Sequence, residues 1–131
     1  MISITSTDNV ELDMQILSYA TAGARILGFD RLLGFDNSLH ITLESSEYLT
    51  DVGEEFCYGM CTEGEEGEIL IQIAIDEADP LLTLAHELVH VRQSLRWDYE
   101  FCEAEAEAME GPLAEAIAAY CTQETVRRGD I

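Results

Sequence analysis

Histidine is scarce in this chain, and two of its three copies, His86 and His90, stand four residues apart in the run AHELVHVRQ (residues 85–93), with Glu87 between them. On a helix that spacing projects both imidazoles from one face, one turn apart. Two ring nitrogens so placed can reach a single ion at about 2.0–2.1 Å each. Glu87 is turned roughly 100° from His86, a poor angle for sharing the ion but a suitable one for reaching water bound to it. This is the His-Glu-x-x-His arrangement, with the glutamate as general base. A polar pair on a surface helix would need no function. Here the flanking slots Leu84, Ala85, Leu88, Val89 and Val91 are apolar or small, which suits a buried metal helix better than a solvated one.

Two histidines leave a zinc site one protein ligand short. The run YEFCEAEAEAMEG (residues 99–111) offers Glu100, Glu103, Glu105, Glu107 and Glu110. A turn after Leu95 and an antiparallel helix would return this run to the level of His90. Glu103 and Glu107 share a helical face, and Glu105 lies on the other flank of the apolar stripe. Spacing alone does not choose among the three, and most of these glutamates belong to a solvated acidic face.

The elements that must hold these residues are legible as patterns. Asp79-Pro80 supplies a capping oxygen followed by a residue with φ already set, so a helix begins there. Leu81, Leu84, Leu88, Val91 and Leu95 recur along it at helical spacing. A second helix starts near residue 100, with Cys102, Ala106, Met109, Leu113, Ile117 and Tyr120 as its stripe and Gly111-Pro112 as a kink or division. A first helix runs over 9–27, capped by Asp8 or Asn9 and stopped by Gly28, with Val10, Met14, Leu17 and Ala20 or Thr21 on its core face. Leu39, Ile41 and Leu43 alternate with His40, Thr42 and Glu44 as a half-buried strand, which puts His40 on the polar side. EFCYGMCT and EILIQIAI flank EGEEG as a hairpin, with Ile69, Ile71, Ile73 and Ile75 on one face. The tail TVRRGDI is expected to fray.

Composition bounds the rest. A chain of 131 residues, 47% of them hydrophobic, suits one domain over 1–131 with a modest core. There is no lysine, and 27 acidic residues stand against 6 arginines, for a net charge of −21. Such a chain repels phosphate backbones and anionic membranes, so neither nucleic acid nor a membrane is expected as a partner. No secretory signal or membrane-length apolar run is visible, so the expected compartment is the cytoplasm and the cysteines are expected as thiols. Cys57 and Cys61 lack the second pair that a structural zinc knuckle requires. Acidity on this scale serves solubility or high salt. It also admits a different class of protein, a decoy that imitates nucleic acid and blocks a basic partner.

The helix motif and the acidic run after it resemble the gluzincin group of zincin metallopeptidases, in particular small stand-alone members from bacteria and their viruses. The resemblance covers roughly the C-terminal half, from EILIQIAI onward. It implies an α+β minimal zincin-like domain: a small antiparallel or mixed sheet of about three strands, packed on the N-terminal helix, the His-Glu-x-x-His helix and a C-terminal glutamate-bearing helix. It implies Zn2+ held by His86, His90 and a downstream glutamate, with Glu87 as the catalytic base in the hydrolysis of a peptide or protein substrate. Gluzincins often carry an acid four residues after the ligand glutamate, where it hydrogen-bonds a ligand histidine. Among the close candidates Glu103 alone has one, Glu107, which makes Glu103 the third ligand and Glu107 its orienting partner. The resemblance also casts EILIQIAI as the edge strand that pairs with extended substrate, and allows Tyr99 or Tyr120 as an oxyanion-stabilising group. A zincin that keeps its metal for structure, with no turnover, is the nearest alternative.

Overall fold

A computed structural model of the chain describes residues 2–4, 10–29, 38–44, 59–63, 68–74, 79–95 and 102–128. In chain order the elements are β1 (Ile2–Ile4), α1 (Val10–Leu27), β2 (Ser38–Glu44), β3 (Gly59–Glu63), β4 (Glu68–Ala74), α2 (Pro80–Leu95) and α3 (Glu103–Arg128). The architecture is α+β. One four-stranded sheet has the order β1-β2-β4-β3. β1, β2 and β4 run parallel, with Leu39 opposite Ile69 and Ile41 opposite Ile71. β3 is antiparallel to β4, with Cys61 opposite Ile71. The sheet is therefore mixed, with four strands rather than three, and a wholly antiparallel form is excluded.

Alternation puts Leu39, Ile41, Ile69, Ile71 and Ile73 on one face, all buried, while His40, Leu70 and Gln72 on the other face are half-buried. The helices cover the isoleucine face. α2 packs on β3 and β4, α1 on β1, and α3 against both helices. Burying each of these large aliphatic side chains contributes about 1.5–3 kcal/mol.

β3 and β4 form the two arms of the expected hairpin, and its loop lies outside the described residues. The edge assignment is corrected. β4, the core of EILIQIAI, is paired on both sides, and β3 is the edge strand beside α2. β1 has no counterpart in the sequence reading.

α1 is also corrected. It spans 10–27 and stops at Gly28, whose φ of 77° lies in the left-handed region where glycine carries no Cβ penalty. Its buried positions are Asp13, Ile16, Ala20, Ala22, Gly23 and Ala24, whereas Val10 and Met14 are exposed. Small residues win because α1 approaches its neighbours closely. A Cβ on Gly23 would sit 2.5 Å from Leu88 Cδ1 and 3.1 Å from Ile117 Cδ1. The cap expected at Asp8 or Asn9 and most of GFDRLLGFDNS lie outside the described residues.

α3 is one helix through Gly111 and Pro112, undivided, and its backbone stays helical to Arg128 where fraying was expected. Pro112 is exposed. Cys102 is also exposed and precedes the helix, so the buried stripe is Ala106, Leu113 and Ile117.

Candidate metal centre

Asp79 caps α2 through its Oδ1, which accepts from the backbone N–H of Leu81 at 3.0 Å and of Leu82 at 3.4 Å. Leu84, Leu88 and Val91 then lock the helix rotation by facing the core. That rotation turns His86 and His90 toward α3, whose first residue is Glu103. Nitrogen and oxygen atoms of His86, His90 and Glu103 lie within 4.8 Å of one another. His86 Nε2 is 3.0 Å from Glu103 Oε2, and His90 Nε2 is 2.8 Å from Glu103 Oε1. The two rings stand edge to face, with centroids 4.9 Å apart. His90 is buried, His86 half-buried and the Glu103 side chain 64% exposed, so the cluster opens to solvent on its carboxylate side.

The far side of each ring decides what the cluster can hold. His86 Nδ1 lies 2.7 Å from Glu110 Oε2, and His90 Nδ1 lies 2.9 Å from Gln93 Oε1. Both partners are acceptors, and so is the Glu103 carboxylate on the Nε2 side of each ring. A neutral imidazole has only one N–H. Each neutral ring therefore leaves one nitrogen acceptor against acceptor at hydrogen-bonding distance. Such contacts require positive charge between them, as a proton on each ring or as a cation. Two imidazoles and one carboxylate are a donor set that suits zinc.

No protein-family model, curated protein or solved structure matches this chain.

Glu87 is buried at 5% exposure. Burial pushes its carboxyl up to about 7, with Glu103 adding to the rise while His90 and His86 oppose it. For His86 burial works against the charged ring. The hydrogen bond to Glu110 and the carboxylates of Glu87, Glu103 and Glu110 outweigh burial, so its pKa is raised. A buried carboxyl and a neighbouring imidazole, both with raised pKa, suit acid–base chemistry.

Of the residues singled out from sequence, His86, Glu87, His90 and Glu103 come together. The orienting contact expected of Glu107 is made by Glu110 instead. Relative to Glu103, Glu110 is turned about 20° toward the buried stripe of α3 and Glu107 about 40° away from it. Glu107 is accordingly exposed. Glu105 serves the cluster from outside, accepting from Gln93 Nε2 at 3.0 Å. Tyr120 accepts a hydrogen bond from Arg25 Nη1 at 2.8 Å, about 25 Å along α3 from Glu103, and is not a group of this centre. His40 lies on β2 with Ser3 Oγ 2.7 Å from its Nδ1, toward the opposite edge of the sheet from β3. Glu100 and Tyr99 lie outside the described residues. Sequence reasoning missed Glu110 and Gln93. The available signal was helical: Gln93 follows His90 by three residues and Glu110 follows Glu103 by two turns.

Proposed function

We propose that this chain is a small zinc-dependent metallopeptidase, with His86, His90 and Glu103 as metal ligands and Glu87 as general base. The observation that carries the proposal is the convergence of two imidazole nitrogens on one carboxylate beside a buried glutamate. Zinc in such a donor set supplies a Lewis acid and brings the pKa of water toward neutrality. The remaining chemistry belongs to the chain. Glu87 takes a proton from the attacking water and returns it to the leaving amine. Glu110 holds His86 and Gln93 holds His90 from behind, so both rings are oriented before substrate arrives.

Substrate selection follows from the surroundings. The outer edge of β3, next to α2, pairs with no described strand, which leaves main-chain groups for an extended peptide to join. A net charge of −21 favours basic or neutral peptides near the cleft. No described helix is long and apolar enough to cross a membrane.

The test is metal content and peptide hydrolysis measured together. The parent protein is expected to carry one zinc and to cleave members of a mixed peptide library. Glu87→Gln should keep the zinc and lose about 10²–10⁴-fold in cleavage rate, and His86→Ala should lose the zinc. A parent that binds no zinc ends the proposal. Zinc without cleavage of any peptide leaves the structural-metal alternative in its place.

A further inference from the structure

We propose that Gln93 is a positioning residue of the metal centre, one buried amide that sets the histidine ligand on α2 and the carboxylate ligand on α3 relative to each other. The proposal rests on the metal reading above. Gln93 is 1% exposed, which is unusual for an amide side chain two residues from a helix end. It lies one turn after His90, on the same face. Its Oε1 accepts the backbone N–H of Cys102 at 2.9 Å and lies 2.9 Å from His90 Nδ1. Its Nε2 donates to the carbonyl oxygen of Cys102 at 3.1 Å and to Glu105 Oε1 at 3.0 Å. Two lone pairs and two N–H groups are the whole capacity of an amide, and all four are used.

The backbone of Cys102 determines which way this amide points. Its N–H can only donate and its C=O can only accept, so Oε1 and Nε2 cannot be exchanged. With Oε1 fixed as an acceptor, and a cation rather than a proton shared between Nε2 and Glu103, His90 carries its proton on Nδ1 and turns its Nε2 lone pair to the ion. The same two bonds to Cys102 seize the residue immediately ahead of Glu103, where α3 begins. One side chain thus determines the tautomer of the second ligand and the placement of the third.

A carboxylate at position 93 could still accept from His90 and from the Cys102 N–H. It would take from the Cys102 carbonyl one of its two donors, leaving the Ala106 N–H at 3.2 Å, and would face Glu105 with like charge. Gln93→Glu therefore weighs on the two roles unequally, keeping the hold on His90 while loosening the hold on the start of α3 from two bonds to one. Gln93→Met removes both.

Cobalt(II) titration reads the result, because the visible absorption of the bound ion reports its ligand set. We expect the parent to bind one cobalt. Gln93→Glu and Gln93→Met, checked for helix content by circular dichroism, should bind about 10–100-fold more weakly. The Gln93→Glu spectrum should shift toward that of Glu103→Gln. The zinc-loaded parent supplies a readout that depends on no variant: long-range proton–nitrogen NMR should show His90 protonated on Nδ1. A parent that takes up no cobalt overturns the metal reading itself. If the parent binds cobalt, a folded Gln93→Glu matching it in affinity and spectrum, or a His90 ring protonated on Nε2, overturns the role of Gln93.

Discussion

The Glu110 carboxylate stands behind the candidate ligand His86 without belonging to the expected ligand set. It sits 2.7 Å from His86 Nδ1 and holds that ring with its other nitrogen toward Glu103. Glu110→Gln is expected to weaken zinc binding by about 10–100-fold in competition with a chelator, while the exposed Glu107→Gln leaves affinity unchanged. Equal losses in both variants would return the role to Glu107. Glu87 makes a separate prediction for the metal-free chain. Its carboxyl is raised from 4.5 to about 7 by folding, so the folded state binds the proton more tightly than the unfolded one. Stability from this group is complete below about pH 4.5 and is lost as pH rises to about 7, on the order of 3 kcal/mol. His86, also raised, acts with the same sign at higher pH: its contribution is present below its unfolded value and is lost above its folded one. Metal-free protein should therefore unfold at lower urea near pH 8 than near pH 5. Zinc should oppose that trend, since its ligands must be deprotonated. A metal-free midpoint that climbs with pH over this interval would contradict the burial of Glu87.

Elements differ in how far their sequences disclose them. α2 was legible because cap, proline and leucine stripe agree, and the structure keeps all three. Asp79→Ala should cost about 1 kcal/mol, read as a lower thermal midpoint with zinc stoichiometry unchanged. α1 misled because two stripes compete in it. Val10, Met14 and Leu17 are the larger residues, yet Ile16, Ala20 and Gly23 face the core, since periodicity weighs hydrophobicity and not how closely two helices approach. Gly23 marks that approach. Gly23→Val should destabilise by about 1–3 kcal/mol through overpacking against Leu88 and Ile117, with denaturant midpoints as the check. An unchanged midpoint would mean that α1 can back away from α2 and α3. Parallel pairing of β2 with β4 was not legible, because alternation shows which face is buried but not which strand lies alongside. In the candidate centre, the trio His86, Glu87 and His90 was legible through fixed spacing on one helix, whereas spacing left Glu103 open among its neighbours. Glu110 and Gln93 were obscure because their value depends on how α2 and α3 dock.

At the scale of the whole molecule the dominant quantity is charge. Six arginines cannot neutralise 27 acidic residues. Among the described residues, Arg25 donates to Tyr120 across α1 and α3, and Arg92 Nη2 stands 3.8 Å from Glu105 Oε1 beside the candidate centre. These two arginines brace helix contacts, and the net charge of −21 leaves carboxylates in excess to repel one another. Compaction gathers that charge into a smaller volume, so self-repulsion opposes folding and is relieved by screening. At 0.1 M salt the screening length is about 10 Å, shorter than the span of the molecule, so most of the relief should come at low ionic strength. The urea midpoint of the metal-free protein should therefore rise steeply with the first additions of sodium chloride and then level off. Sodium chloride is the appropriate salt, because sulfate also strengthens apolar burial and would raise the midpoint of a neutral protein as well. A midpoint insensitive to sodium chloride would mean that the carboxylates are spaced widely enough, or protonated enough, for the net charge to place no strain on the fold.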